Sequence, residues 1–549
     1  MERIIKFFKK PIIINSIIVI ICILIFYTIL LNNNELIYSM NDDIAMKAIT
    51  SGKYNGEPSS YMIFSGFPYS ILLLLLYKIT NKIDWYGLIL ISSTVFFFGY
   101  TIYSVIKNKK ETFKKVIYTI LIISTFAVVF NVFFVELTFT SIAAFITICC
   151  LILYLLPDGK IKNVIMAAGI VLAFGIRAKS CLMILVFFIP ALFYKNYRNK
   201  EKLKKDFILG IKIGIVLVIC IIVEKSAYNN LDWKEYMKYN NYRSLYYDYY
   251  FKTIENLPVE TKEEIFHNAG FTDSEMQLLS SYGGIALYDN IPTKMENLIE
   301  QCKSHNLKLN SNMKETIRII LTSRPNICYC MTLIIIAYLI ISSSNKKEKL
   351  IKIIPFLALQ IAILTYLVVK GRIPDRVIVP IYTCYIVTNI YIILQEEKIQ
   401  KSINKLLDYN RFTSIMVIIL IFILAMDIKV YNNDKVLAEK GSMMEEYFES
   451  HPENFYIYDN NYLAKLTLFN RFSKNNYINM NGWTAYSPLH QEAIKRQGAS
   501  SLKELAFKDN VYIVLLNYSN IELYNEIDTN VKIEMVDSIG EYNIYKFTK

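Results

Sequence analysis

Two adjacent carboxylates, Asp42 and Asp43, are the residues in this sequence whose types and spacing best suit chemistry. They lie in the stretch MNDDIAMKAITSG, which predicts a short amphipathic helix that Asn41 or Asp42 caps and Gly52 ends. Acids in a first helical turn commonly serve only to stabilise the helix dipole. Neighbouring acids also raise one another's pKa, so this pair could equally act as a general base or hold a divalent cation.

A third acid, Glu136, lies in the stretch NVFFVELTFTS between two apolar blocks. A carboxylate at the level of the membrane costs free energy unless it is paired or solvated. The sequence is therefore compatible with a catalytic role for Glu136 and also with that of an ordinary polar turn residue.

Basic side chains beside the apolar blocks form a second candidate group. They are Arg177 and Lys179 in GIRAKS, Arg372 and Arg376 in KGRIPDRV, and Arg243 in NNYRSLYYDYY. Arginine binds phosphate through two parallel hydrogen bonds, so a phosphate at the outer leaflet is a natural ligand. Lipid head-group anchoring, or a local pair between Arg376 and Asp375, explains the same residues without a substrate. The tyrosines around Arg243 could form a sugar platform or simply pack.

The elements that must position these residues are mostly apolar helices. The chain has 549 residues, of which 54% are hydrophobic and 19% are charged, and its apolar residues form blocks long enough to cross a bilayer core of about 30 Å. Membrane spans are predicted over residues 11–31, 84–106, 116–134, 138–156, 162–178, 180–195, 206–227, 326–344, 351–369, 376–394 and 412–428. The first block lacks a signal-peptide cleavage site, so we expect it to remain as an anchor.

The net charge of +13 is distributed in a way that indicates a membrane rather than nucleic acid as the partner. The short segments between the predicted spans on one side (1–10, 107–115, 157–163, 195–205, 345–352 and 395–411) hold 25 basic and 8 acidic residues, a net of +17. The rest of the chain therefore carries a net of −4. By the positive-inside rule these segments and the N-terminus face the cytoplasm of a multi-pass protein of the cell membrane.

One apolar segment, residues 61–79, conflicts with this topology if it crosses the membrane. A crossing there would move the lysine-rich loops 107–115 and 195–205 to the outside. Gly66 and Pro68 would also break a regular span. We therefore predict a helix at the outer interface or a re-entrant helix, with a twelfth crossing as the alternative.

The predicted fold class is mainly α: a polytopic transmembrane bundle of about 11 spans over residues 1–428, with outer loops 32–83 and 228–325. Residues 429–549 predict a small extracytoplasmic α/β domain. Its predicted strands are 455–459, 511–516 and 542–548, and its predicted helices are 462–469, 489–497 and 501–507.

The cysteines and histidines give no sign of a disulfide framework or a metal site. Most of the nine cysteines fall in or beside apolar blocks, and only Cys302 lies in a clearly polar stretch. The four histidines show no ligand spacing. The sequence therefore identifies no metal ligands among its cysteines and histidines. A divalent cation held by the paired aspartates is the alternative that the sequence leaves open.

These positions together resemble the GT-C superfamily of integral-membrane glycosyltransferases, such as protein O-mannosyltransferases and lipid A aminoarabinose transferases. Asp42 and Asp43 follow the first helix, the apolar segment GFPYSILLLLLY precedes the second, and Glu136 opens a turn followed by LTFTSIAAF. The chain is also similar to a group of polytopic membrane proteins of Gram-positive bacteria with strings such as NDD, WYG, YRSLYYDYY and RIPDRV. That second similarity names no substrate.

The GT-C resemblance implies a glycosyltransferase of hexosyltransferase type whose donor is a polyprenyl-phosphate sugar and whose acceptor belongs to the cell envelope. The first-loop acid would be the catalytic base or a metal ligand. The WWD-type motif of oligosaccharyltransferases is absent from the sequence, so we do not expect this chain to carry out protein N-glycosylation. The alternatives are a transporter or flippase of a lipid-linked sugar, a polymerase or ligase of surface polysaccharide, and a non-enzymatic envelope protein.

Overall fold

The computed structural model describes residues 11–32, 34–196, 199–307, 346–371, 374–394, 432–459, 466–469 and 475–549. The predicted spans 326–344 and 412–428 lie outside these residues. The helices of the N-terminal half are α1 (Pro11–Asn32), α2 (Asn41–Ser51), α3 (Phe67–Ile79), α4 (Trp85–Ile106), α5 (Thr112–Phe130), α6 (Phe139–Leu155), α7 (Lys160–Ile176), α8 (Ala178–Leu185), α9 (Phe188–Asn196) and α10 (Lys200–Ala227).

Several of these helices suit a bilayer, as the sequence predicted, and the chain is a multi-pass membrane protein. Within the described ranges, four stretches are long and apolar enough to cross: Pro11–Asn32, Trp85–Ile106, Ala178–Asn196 and Lys200–Ala227. The apolar face of α10 is largely exposed, and Leu217 is its buried residue. A helix that shows Ile and Val on all sides is stable where lipid surrounds it. The predicted number of spans stays a prediction.

Two predicted segments differ from the regular spans that surround them. The span predicted over 180–195 is interrupted at Val186 and Phe187, so it forms α8 and α9. The disputed segment 61–79 forms the 13-residue helix α3, with Pro68 in its first turn, where the missing N–H of proline costs nothing. At 1.5 Å per residue α3 is about 20 Å long, which is shorter than a bilayer core.

Helix α6 is the centre of the bundle. All of its 17 residues are buried, and it packs against α4, α7, α8 and the later helix α17 (Asp375–Leu394). It begins at Thr138, whose hydroxyl oxygen accepts a hydrogen bond of 3.0 Å from the backbone N–H of Ser141. The N-terminal end of the most buried helix is therefore a fixed point on which a site can be built.

The long polar loop and the segments after it are also helical. They contain α11 (Leu231–Leu245), α12 (Phe251–Glu255), α13 (Val259–Asn268), α14 (Asp273–Ser280), α15 (Ile291–Ser304), α16 (Lys346–Val369), α17 and α18 (Asn432–Ser450). Helix α14 begins with a capping box, in which the hydroxyl of Thr272 and the carboxylate of Glu275 satisfy one another's backbone N–H groups.

Three two-residue strands join distant parts of the chain. Strand β1 (Ile37–Tyr38) pairs in parallel with β2 (Glu136–Leu137) and antiparallel with β4 (Leu466–Thr467). Strand β4 corrects the prediction of a helix over 462–469, because its two residues take their hydrogen bonds from the first loop. The C-terminal part of the chain therefore contacts the segment that leads into α2.

The C-terminal part forms a five-stranded sheet with the order β5-β3-β6-β8-β7. Its elements are β3 (Phe455–Tyr458), β5 (Tyr477–Asn479), α19 (Pro488–Arg496), α20 (Leu502–Ala506), β6 (Val511–Leu516), β7 (Lys532–Ile539) and β8 (Tyr542–Thr548). Strand β3 is parallel to β5 and β6, whereas β8 is antiparallel to β6 and β7. The mixed sheet with two helices has the α/β character that the sequence predicted for this region.

Candidate functional site

Asp43 is buried where three helices meet. Its Oδ1 atom accepts a hydrogen bond of 2.8 Å from the hydroxyl of Tyr86 on α4 and one of 2.9 Å from the backbone N–H of Phe139, the first residue of α6. Its Oδ2 atom is also buried and has no hydrogen-bond donor among the described residues. Asp43 thus fixes the start of α2 against the positive N-terminal end of α6.

Asp42 has a different environment although it is the next residue in the same turn. Its side chain is partly exposed. Burial raises the pKa of the Asp42 carboxyl, and the positive charges of Arg376, Arg177 and Arg243 act in the opposite direction, as does a hydrogen bond from Trp483. The structure therefore gathers four predicted site residues, one acid and three arginines, around a single carboxylate.

Arg177 is held at this place by a close approach of two backbone segments. Gly66 donates its backbone N–H to the carbonyl of Gly175 at 2.7 Å, and a Cβ atom at Gly175 would lie 2.9 Å from the side chain of Tyr69. The guanidinium of Arg177 donates to the carbonyl of Phe64 at 2.9 Å and lies over the rings of Phe64 and Phe139. Aromatic faces attract a guanidinium and orient it towards the aspartates.

The other two arginines come from later parts of the chain. Arg376, in the first turn of α17, donates to the sulfur of Met40, which directly precedes α2. Arg243, near the end of α11, donates through Nε to the side-chain oxygen of Asn240 at 3.0 Å. Each of these three arginines is partly buried.

The remaining predicted site residues have separate positions. Glu136 is 4% exposed and lies in β2 directly opposite Ile37, on the small sheet whose central strand leads into α2. Lys179 is exposed in the first turn of α8, two residues after Arg177. Arg372 lies outside the described residues.

The sequence did not identify the residues that complete the site. Tyr86 and Trp483 donate hydrogen bonds to the two aspartates, and Phe139 supplies the third donor from its backbone. Tyr86 stands in the string WYG just inside α4, but nothing local marks its partner 43 residues earlier. Trp483 belongs to the C-terminal part, so only the folded chain shows its role.

The electrostatics distinguish the two aspartates further. Burial raises the pKa of the Asp43 carboxyl to about 8, against the hydrogen bonds from Tyr86 and Phe139, which lower it. Its ordinary pKa is close to 4, so Asp43 retains a proton at neutral pH for most of the time. In the part of the chain that the structure describes, no three or more His, Cys, Asp or Glu side chains are grouped to hold a metal ion.

Comparison with known proteins gives a distant structural likeness. No protein-family model matches the chain, and no curated protein matches its sequence. Two solved structures are similar over 96% of this chain and 97% of theirs: ArnT from Cupriavidus metallidurans in the apo state, at 10% identity, and the same protein bound to undecaprenyl phosphate, at 9% identity. Both have a TM-score of 0.40, a value too low to decide anything about activity.

Proposed function

We propose that this protein is a membrane glycosyltransferase that moves a sugar from a polyprenyl-phosphate carrier to an acceptor of the cell envelope. The observation that supports this most is the position of Asp42, a partly exposed acidic residue with three arginines in electrostatic range. Such a combination supplies a proton acceptor and a phosphate-binding group side by side. The reaction would take place at the outer face of the cell membrane, with the N-terminus in the cytoplasm and residues 429–549 outside.

Asp42 is the proposed general base. The acceptor hydroxyl gives its proton to the Asp42 carboxylate while its oxygen forms a bond to the anomeric carbon of the sugar. The bond from that carbon to the carrier phosphate breaks, and its electron pair leaves with the phosphate. A single displacement of this kind inverts the anomeric configuration.

The arginines are proposed to bind the carrier phosphate. The phosphate gains one negative charge when the sugar leaves, and guanidinium groups stabilise that charge more in the transition state than in the ground state. Arg177, Arg243 and Arg376 come from three separate elements, so they can surround an anion rather than line one side of it. The position of Lys179 suits a contact with the lipid carrier or with head groups.

Asp43 is proposed to position Asp42 rather than to touch substrate. Both of its hydrogen bonds connect α2 with α4 and α6, and its side chain is fully buried. Glu136 would support the same region through the small sheet. This division differs from the sequence-based expectation, in which either aspartate could be the base.

A double substitution, Asp42→Asn with Asp43→Asn, tests the proposal. The purified full chain is mixed with membranes that hold native acceptors and with undecaprenyl-phosphate-linked glucose, mannose or aminoarabinose, and mass spectrometry follows the release of undecaprenyl phosphate. We expect release from one of these donors by the unmodified chain and none by the double variant, with membrane insertion unchanged.

The matched control is Glu35→Gln, which neutralises an exposed acid in the same loop. It should release carrier at the unmodified rate. Full activity of the double variant would overturn the assignment. Passage of an intact sugar-lipid across the bilayer of a vesicle, without release of carrier, would favour a transporter instead.

A further inference from the structure

A cavity lies between α11 and α19. Its volume is about 440 Å³, and its walls come from the outer loop and from the C-terminal part of the chain. Small-molecule sites typically fall between roughly 300 and 1,000 Å³ and often lie where two parts of a protein meet. The proposed transferase chemistry does not yet use this cavity.

The charges on the walls exclude an anionic ligand. Asp232 and Glu235 contribute carboxylates from α11, Glu492 contributes one from α19, and Lys495 supplies the opposing ammonium. Three negative charges and one positive charge leave a formal net of −2. This is the opposite of the arginine cluster around Asp42, so a phosphate would go to the arginines and not to this cavity.

Aromatic rings form another wall of the cavity. The rings of Tyr239 and Tyr486 meet edge to face with their centroids 5.1 Å apart. Tyr486 has a φ of 63°, a left-handed conformation that is rare for a residue other than glycine. Strain of this kind is kept mostly at functional sites, and here it holds a tyrosine at the wall of the cavity. Tyrosine rings and carboxylates together suit the apolar faces and hydroxyl groups of a sugar.

Two hydrogen bonds connect the cavity walls with residues near Asp42. Tyr236 lines the cavity and donates its hydroxyl to the carbonyl of Trp483, whose side chain donates to Asp42. On the other side, the cavity residue Glu492 accepts a hydrogen bond of 3.0 Å from Asn55, four residues after the end of α2. A ligand in the cavity would therefore be separated from the proposed base by Tyr236 and Trp483.

We infer that this cavity binds a hydroxyl-rich saccharide without negative charge. Its part in the reaction, as the subsite for the acceptor glycan, rests on the transferase function proposed above. The phosphate of the donor and the sugar of the acceptor then bind at different places, which the sign of the local charge distinguishes.

Three soluble trisaccharides test this inference on the purified full chain by isothermal titration calorimetry: a glucose trimer, a glucosamine trimer and a galacturonic acid trimer. We expect the first two to bind and the third to bind at least about tenfold more weakly, since like charges repel at the cavity. Equal binding of all three, or preference for the galacturonic acid trimer, would overturn the inference.

A charge reversal, Glu235→Lys, locates the binding. Glu235 is exposed on the surface of a helix, so the substitution leaves the core unchanged. We expect the affinity for the glucosamine trimer to fall at least about tenfold, whereas Glu260→Lys, at an exposed acid in the first turn of α13, leaves it unchanged. Unchanged affinity in Glu235→Lys would contradict the assignment.

The double variant Asp42→Asn with Asp43→Asn separates this inference from the proposed function. It should retain saccharide binding, because the cavity walls are intact. If that variant also retained carrier release, the transferase proposal would be lost while the saccharide site stood. If Glu235→Lys bound all three sugars like the unmodified chain, the saccharide site would be lost while the transferase proposal stood.

Discussion

Asp84 and Asp43 are both buried acids, but they differ in how far the fold compensates the free-energy cost of burying a carboxylate. Asp84 caps α4, is paired with the ammonium of Lys47 at 2.9 Å, and accepts hydrogen bonds from the hydroxyls of Tyr38 and Tyr77 and from the backbone N–H of Gly87. Both of its oxygens have donors, and its charge is matched.

Asp43 has neither of these features. One of its oxygens has two donors, the other has none among the described residues, and its neighbour in sequence is a second acid. A buried charge that is fully paired belongs to the architecture, whereas an incompletely satisfied acid beside another acid costs stability. Proteins retain such an arrangement mainly at functional sites. The comparison therefore places Asp84 in the architecture of the fold and supports the proposal that Asp42 takes part in the reaction while Asp43 positions it.

The largest expected effect is a loss of activity when Asp42 is replaced, and it tests whether Asp42 has a chemical rather than a structural role. Asp42→Asn should lower the rate of carrier release by about 100- to 10,000-fold, since a neutral amide cannot accept the proton of the hydroxyl. Its thermal unfolding midpoint should stay that of the unmodified chain, because the side chain is partly exposed. Release assays and calorimetry on the same preparation measure both. A lower unfolding midpoint with an unchanged rate of carrier release would contradict the proposed catalytic role of Asp42 and would give it the structural role that Asp84 has.

The next effect concerns stability at Asp84. Asp84→Ala leaves the ammonium of Lys47 buried without this carboxylate, which should lower the free energy of unfolding by about 3–5 kcal/mol. Thermal unfolding of the detergent-solubilised chain shows this as a lower midpoint. The double variant with Lys47→Met is the control, and its loss should be smaller than the sum of the two single losses. A stable Asp84→Ala variant would show that the pair is not structural.

The smallest effect is a pH dependence at Asp43. The raised pKa of about 8 means that the folded state holds a proton which the unfolded state loses above about pH 4. This contribution to stability is present below the unfolded pKa and disappears as pH rises through the folded pKa.

Asp43→Asn removes that dependence and keeps an oxygen acceptor for Tyr86. Relative to the unmodified chain, the variant should gain up to about 3–4 kcal/mol in free energy of unfolding between pH 5 and pH 8, followed through the difference between the unfolding midpoints. A constant difference for Asp43→Asn over the same pH range would mean that burial does not hold the proton on Asp43.

Much of the local structure could be predicted from the sequence. The helix expected between Asn41 and Gly52 is α2, and Gly52 ends it with a φ of 83°, in a turn where a Cβ atom would lie 2.7 Å from the backbone nitrogen of Pro58. The predicted strands 455–459, 511–516 and 542–548 match β3, β6 and β8 closely. These elements depend on caps, turns and alternation, which are properties of neighbouring residues.

The parts that the sequence could not predict depend on partners far along the chain. In the sequence Lys47 and Asp84 look like ordinary polar residues, and only the folded chain shows that they form an ion pair. Trp483 donates to Asp42 although most of the sequence separates the two residues. Strand β7 was missed because most of its residues are exposed and its pairing with β8 defines it. The residues Leu466 and Thr467 were misassigned to a helix because their strand partners, Tyr38 and Ile37, lie far away in the sequence.

The pairing of β1 with β4 affects the order in which the candidate site assembles during protein synthesis. Ile37 and Thr467 are partners although 430 residues separate them, so β1 leaves the ribosome long before β4 exists. At roughly 5–20 residues per second, synthesis of the intervening chain takes about 20–90 s. During that interval the first loop has one of its two neighbouring strands at most, and Trp483 has not yet been made. The nascent chain therefore carries its aspartates on an unfinished surface, and Asp42 acquires its full set of contacts only after Trp483 has been made.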